Sequence, residues 1–492
     1  MKYFYNLKFD KISSAKCNMF LVSVLNEQKS IPGNPYYQHY DYYLMDCLGR
    51  VFDEKVEKVD LEVDKTEQLF EMTLNGTKFL MSQDLKTIAY GYKKVEFDAG
   101  EFGVITGTDD TKNYISRQGE LINLDGVKQI FPFSNGLGVV QLDDGKYAYV
   151  NEKFEISKNK FDCAYEFFDS NYATVYLNGK FYVVDRNAEI VSKGFDNLVF
   201  SYSGKKVIEP FVKGKGFSST CYDFNGNKLC ENEQYVYPER SGVLRTFDKQ
   251  NITHYFDAET GKKIGGDFGL SSADFRGNMA PVIVGENENG FIWTVLKKDG
   301  STFKNLYGAA SAMSDKLMAV YVDSPSGNTG NYFIVDENEN LVTKKRFKRV
   351  SQFYEGMASV GLTKDRMTYL REKDLKVLEE TFDDTNYFSC GYGVVKNNGR
   401  TDAITKNGVH LSEISEFAEE IDKDPMNILK MPEEYLDDNL LVSRLYNQAQ
   451  KNIDNTQAAT IEDKTTLLHQ KTIINRFFAE RGMENQKVNE KS

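Results

Sequence analysis

Ala173-Thr174-Val175-Tyr176-Leu177-Asn178-Gly179-Lys180-Phe181-Tyr182-Val183-Val184-Asp185 contains two strands and the turn that joins them. Ala173 to Leu177 alternates with a period of two, the spacing of a half-buried strand. Asn178-Gly179 supplies the two residues that tolerate positive φ, as a type I′ hairpin turn requires. Lys180 to Asp185 is the return strand. Asn187-Ala188 breaks it, Glu189-Ile190-Val191 starts a third strand, and Leu198-Val199-Phe200 leads out of the unit.

The same unit recurs on both sides. An aromatic is followed by glycine, then by a small or apolar pair and an alternating strand: Phe133-Ser134-Asn135-Gly136-Leu137-Gly138, Phe275-Arg276-Gly277-Asn278-Met279-Ala280 and Phe353-Tyr354-Glu355-Gly356-Met357-Ala358. Taking the small residue as the anchor gives Gly103, Gly138, Ala173, Ala280, Ala319, Ala358 and Gly393, with degenerate anchors near Ile208 and Leu244. The spacing is about 36 residues. Two looser units near Leu21 and Glu71 bring the total to about eleven over residues 15–417, the first interrupted around Ile31-Pro32-Gly33-Asn34-Pro35. Asn75-Gly76, Asp144-Gly145, Asn225-Gly226, Asn398-Gly399 and Asn407-Gly408 repeat the turn signal.

Lys146-Tyr147-Ala148-Tyr149-Val150 and Lys180-Phe181-Tyr182-Val183-Val184-Asp185 sit where the WG-repeat family of bacterial β-repeat proteins carries Lys-Trp-Gly and then an aromatic-Ile-Asp strand. The chain resembles a divergent member of that family, with Tyr or Phe for Trp and Ala or Tyr for Gly. The resemblance covers about four fifths of the chain. It implies a β-repeat architecture and an interaction module, and it supplies no shared catalytic residues.

Composition agrees. Of 492 residues, 30 are Tyr and 34 Phe against one Trp and nine Pro, a profile of strands and short turns. The net charge is −12 and no dense Lys/Arg run occurs, which excludes the basic stripe of a nucleic-acid binder. No window approaches the ~20 apolar residues of a membrane helix. Lys8, Asp10 and Lys11 interrupt the start, so no secretory leader is expected and a cytoplasmic location is.

The tail changes period. Met431-Pro432-Glu433-Glu434 predicts a helix start, Val442, Leu445, Ala449 and Ile453 line one face, and Thr460-Ile461-Glu462-Asp463 predicts a capping box. Leu467, Lys471, Ile474 and Phe478 form a second stripe, joined by Leu468 and Phe477, which Gly482 can end. The expected organisation is therefore divergent β-repeats over 1–100, a regular array over 101–417, an α-helical extension over 418–482 and a disordered tail over 483–492. The fold class is an all-β repeat array of small sheets, either an open spiral or propeller-like, with a short helical C-terminal region.

No candidate chemistry rises above turn and core roles. His39, His254, His410 and His469 are scattered and lack a metal-ligand motif. Glu286-Asn287-Glu288-Asn289-Gly290, Asp336-Glu337-Asn338-Glu339-Asn340 and Asp143-Asp144-Gly145 only partly match a calcium loop, and Asn and Asp also bond their own backbone in turns. If Asn225-Gly226 is a two-residue hairpin, Phe224 pairs with Asn227, Tyr222 with Leu229 and Cys221 with Cys230, close enough for a disulfide, although a reducing cytosol disfavours one. Catalytic, cofactor and metal sites are expected to be none. The expected function is a non-enzymatic protein-interaction scaffold, with the C-terminal helices docking a protein partner. A carbohydrate-binding or carbohydrate-active protein using exposed aromatics, and a structural component of a larger assembly, are the alternatives.

Overall fold

The computed structural model describes residues 2–30, 37–98, 100–167, 171–202, 206–209, 219–237, 240–323, 330–457, 460–479 and 481. The insertion at 31–35, Gly482 and the tail at 483–492 fall outside them. Eleven small antiparallel sheets of two to five strands follow one another along the chain. Each anticipated anchor lies on a strand of a different sheet: Leu21, Glu71, Gly103, Gly138, Ala173, Ile208, Leu244, Ala280, Ala319, Ala358 and Gly393. By contacts the chain divides into two compact units, one of Met1–Val59, Met72–Gly76 and Phe353–Ser492, the other of Asp60–Glu71 and Thr77–Gln352.

The fifth sheet shows how a repeat is made. Ala173–Leu177 pairs with Lys180–Val184 in the register Ala173↔Val184 to Leu177↔Lys180. Asn178 and Gly179 both have positive φ, 51° and 82°, so the turn is type I′. The return strand ends at Asp185, whose carboxylate accepts from the N–H groups of Asn187 (2.9 Å) and Glu189 (3.0 Å). This side-chain cap closes a turn in which Ala188 takes a positive φ of 61°. Asn151 and Asp336 close the corresponding turns of other sheets by the same pair of bonds, and Asp248 uses that pair in the hairpin turn before the seventh sheet's return strand.

The small anchor has a steric cause. In four repeats a tyrosine on the return strand packs edge-to-face on the aromatic that opens the next repeat: Tyr114 on Phe133, Tyr149 on Phe167, Tyr255 on Phe275 and Tyr369 on Phe388, with ring centres 4.8–5.4 Å apart. Each hydroxyl donates to a backbone carbonyl of that next repeat, at Phe131, Tyr165, Ala273 and Asn386. The crossing sits on the anchor. A Cβ on Gly138 would lie 2.9 Å from the Tyr114 hydroxyl and 3.0 Å from Phe133, and one on Gly393 would lie 2.5 Å from both Tyr369 and Phe388. The cores therefore lie between consecutive sheets rather than within one. Leu137, Val139 and Tyr149 of the fourth sheet share a core with Phe167, Ala173 and Val175 of the fifth. Among the described residues the third and fourth, seventh and eighth, and eighth and ninth sheets share cores in the same way.

In the first compact unit the largest core joins the first sheet, the last sheet and the helices. Phe20, Met45 and Val51 meet Tyr392, Val394 and Ala403, and all pack on helical residues. Ser389 Oγ donates to the Ala15 carbonyl at 2.6 Å and the Tyr392 hydroxyl to the Cys47 carbonyl at 2.7 Å. Helix α1 runs Leu411–Lys423, α2 Glu433–Leu436, α3 Asn439–Asn455 and α4 Ile461–Ala479. The helical region thus begins at Leu411 rather than 418. Leu411, Ile414, Ala418 and Ile421, spaced by three, four and three, bury one face of α1. Pro432 does precede a helical turn, but α2 ends after four residues. Asp438 then caps α3 through the N–H groups of Leu440 and Leu441. Val442, Leu445, Ala449 and Ile453 are all buried. Thr460 and Asp463 form the anticipated reciprocal box, at 2.9 and 3.0 Å.

Candidate functional site

A cavity of about 370 Å³ opens beside the fifth, sixth and seventh sheets, within the second compact unit. Tyr172 comes from the aromatic start before Ala173–Leu177, and Val191 from the third-strand segment of the same repeat. Lys206 opens the sixth sheet's strand Lys206–Glu209. Asp223, Phe224 and Asn225 form the turn after Ser219–Asp223, and Leu229 follows on Lys228–Glu233. Ala258 and Glu259 come from the turn after Ile252–Asp257.

The space coincides with a break in the tyrosine series. Val183 and Cys221 hold the tyrosine's register position in the fifth and sixth sheets, and both are shorter. Tyr172 instead packs edge-on against Phe224, with centres 4.9 Å apart at 90°. Lys206 is 8% exposed although it carries a charge. It helps to keep the neighbouring Asp257 carboxylate below its ordinary range, where the main cause is hydrogen bonding from Thr260. Burial alone would raise the Asp223 carboxyl, but two bonds of 2.7 Å from Asn227 and the N–H groups of the turn hold it below the ordinary range. The lining combines an aromatic wall, a buried cation, an amide and carboxylates. Its described residues include no histidine or cysteine.

The residues singled out in the sequence are elsewhere. His39 and His469 are exposed. His254 lies 3.3 Å from Asp267. His410 sits between two carboxylates, with Nδ1 3.0 Å from Asp402 and Nε2 2.8 Å from Glu380, while Ser412 Oγ donates to Asp402 at 2.8 Å. Both ring nitrogens face acceptors, so the imidazolium is favoured, and bonding to Asp402 is the main cause of a pKa raised to about 9.

The acidic loops hold turn and inter-repeat bonds. Asp144 accepts from Lys146 N–H, and Asn287 from Asn289 N–H. The Glu339 carboxylate accepts from the N–H groups of Lys304 and Asn305, the Asn305 amide and the Tyr307 hydroxyl of the preceding repeat. Burial would raise its pKa, but these donors outweigh it and lower it. Among the described residues no group of three or more His, Cys, Asp or Glu could hold a metal ion, and no helix is long and apolar enough to cross a membrane.

The hairpin register near Asn225-Gly226 differs from expectation. Only Gly226 has positive φ, and the turn is the Asp-capped kind that follows a return strand. Tyr222 pairs with Lys228 rather than Leu229, and Asp223 N–H donates to Asn227 O. An irregularity between Cys221 and Tyr222 then restores Cys221↔Cys230, and both cysteines are buried.

The family signature is visible in this geometry. Tyr147, Phe181, Trp293, Tyr332 and Met367 form isolated bridges to Phe161, Phe195, Tyr307, Phe347 and Phe382. The chain's single tryptophan thus occupies the same place as the residues after Lys146 and Lys180. The family described as WG containing repeat matches residues 332–362, which begin at that position. The chain carries a WG repeat there and is similar to divergent members of that family. One of its eleven repeats is matched directly, and the others share its fold.

No curated protein matches the WG-repeat chain. Among solved structures, a eukaryotic initiation factor is 11% identical with a TM-score of 0.35, over 70% of this chain and 94% of that one. BamB from Moraxella catarrhalis is 10% identical with a TM-score of 0.26, over 64% and 98%. The computationally designed Ika8 protein is 10% identical with a TM-score of 0.26, over 57% and 96%. At these scores the likenesses bear on neither architecture nor function.

Proposed function

We propose that this WG-repeat protein is a non-enzymatic interaction scaffold that works in the cytoplasm through contacts with a protein partner. One observation carries the reading. The polar groups that chemistry would need are engaged between or within repeats, as at Glu339, Asp336 and His410, while the described hairpin loops range from the shared turn of Asn75-Gly76, Asn178-Gly179 and Asn398-Gly399 to Asp109-Asp110 and Lys364-Asp365. A surface varied on a constant frame suits recognition.

The docking element is narrower than the whole helical extension. The apolar faces of α1 and α3 belong to the core of the first compact unit. On α4 Ile474 and Phe478 are buried, whereas Ile461 is 85% and Leu468 66% exposed. We assign docking to that exposed side of α4. The test is affinity purification from the native host with the full chain and with Ile461→Glu/Leu468→Glu, alongside cell fractionation. A stoichiometric partner retained by the full chain and lost by the double variant is expected. A partner list unchanged by the variant refutes the assignment to α4.

A further inference from the structure

The cavity beside the sixth sheet is lined by both apolar and polar residues: Val191, Phe224 and Tyr172, and Lys206, Asn225 and Glu259. Lys206 is buried, so its charge is not a solvated surface charge. The volume of about 370 Å³ falls among those of small-molecule sites, ~300–1,000 Å³.

Charge narrows the ligand. An anion would gain Lys206 but face the Asp223 and Glu259 carboxylates. A cation would gain those and face Lys206. A neutral ligand with several hydroxyls avoids both conflicts, because each hydroxyl donates to a carboxylate and accepts from the ammonium or the Asn225 amide. A ring with one C–H face also suits Tyr172, Phe224 and Val191, where apolar area leaves water against an aromatic wall. The Asp223 carboxylate is already filled by Asn227 and the turn, which leaves Glu259 as the acceptor at the rim.

We propose that this cavity binds a neutral pyranoside, one sugar ring of a saccharide, seated on Tyr172 and hydrogen-bonded by Lys206, Asn225 and Glu259. The site is independent of α4 and of the scaffold reading.

The test is saturation-transfer NMR on the full chain with the methyl pyranosides of glucose, galactose and mannose, N-acetylglucosamine, and glucuronate as the charged probe. Each is offered at about 10 mM, enough to load a site with a Kd near 1 mM. Val191→Trp fills the mouth from a half-exposed position outside the core, and Glu259→Gln removes the rim charge. Saturation transfer to at least one neutral pyranoside is expected. It should be lost in Val191→Trp and weakened about three- to tenfold in Glu259→Gln, a loss of one charge-assisted bond, with circular dichroism unchanged in both. The proposal is overturned if no neutral pyranoside responds, if a response survives both variants, or if glucuronate binds tenfold more tightly than every neutral sugar.

Discussion

Replacing His410 by glutamine removes a charge that the fold holds between two carboxylates, and the consequence depends on pH in a definite direction. The imidazolium ties three places together: Glu380, Asp402 on the strand Arg400–Thr405, and the N-terminal end of α1, where His410 is the cap residue and its carbonyl accepts from Ile414. The Phe382 ring, 6.4 Å away, covers one side. The pKa rises from 6.5 to about 9, chiefly through the bond to Asp402 and against burial, with Glu380 adding to it.

At full burial that difference would correspond to ~3 kcal/mol. The side chain is 23% exposed and Glu380 47%, so screening leaves ~1–2 kcal/mol. A raised folded-state pKa stabilises fully below pH 6.5, and the contribution is lost as pH rises through about 9. Urea unfolding followed by circular dichroism at about pH 6, 7.5 and 9.5 checks this. His410→Gln should be less stable by ~1–2 kcal/mol at the lowest pH, and the gap should close at the highest. Parallel pH profiles for the two proteins would refute the reasoning.

Three further outcomes follow from the inter-repeat geometry and the helix caps. Gly138→Ala pushes a methyl group against Tyr114, Phe133 and Val150 at 2.9–3.0 Å, and should cost ~1–3 kcal/mol in a thermal melt. Tyr149→Phe keeps the ring on Phe167 but loses the bond to the Tyr165 carbonyl, so a destabilisation of ~1 kcal/mol with unchanged circular dichroism is expected. Thr460→Ala opens the box at the start of α4. It should raise amide exchange over residues 461–465 by the equivalent of ~1 kcal/mol while the melting midpoint of the β-repeats stays put.

Architecture was legible because its cause is local and repeated. Asn178-Gly179 sets a turn, Ala173 to Leu177 sets a face, and the same signals at about 36-residue spacing place a strand of every sheet. The register at Asn225-Gly226 was not, because the same dipeptide serves two turns. It joins the two long strands after Leu177, but follows the return strand after Tyr222, where Asp223 caps it. Helix α1 escaped for a related reason. Leu411, Ile414, Ala418 and Ile421 have helical spacing, yet they directly follow Asn407-Gly408, a signal that had marked strands everywhere upstream. The cavity was illegible in the sequence, since its lining comes from three repeats.

The tyrosine crossings explain why repetition and specialisation coexist in this chain. Where Tyr114, Tyr149, Tyr255 or Tyr369 is present, its hydroxyl fixes the next sheet's first strand and its ring fixes the aromatic over a small anchor, so neighbouring sheets have one way to pack. Where the tyrosine is shorter by substitution, that constraint is lifted and space can persist without undoing the series, because the hairpins themselves are held by backbone pairing and Asp-capped turns. Stability in such an array is a sum over neighbours, so one loose junction lowers the total without collapsing the rest. A cavity is tolerated most readily at such a junction. Val183 is fully buried against Val199, Val207 and Phe224, so Val183→Tyr should overpack that junction by ~1–3 kcal/mol while the remaining repeats stay folded. If Val183→Tyr instead unfolded the whole second unit, the junctions would not be independent and the additive picture would fail.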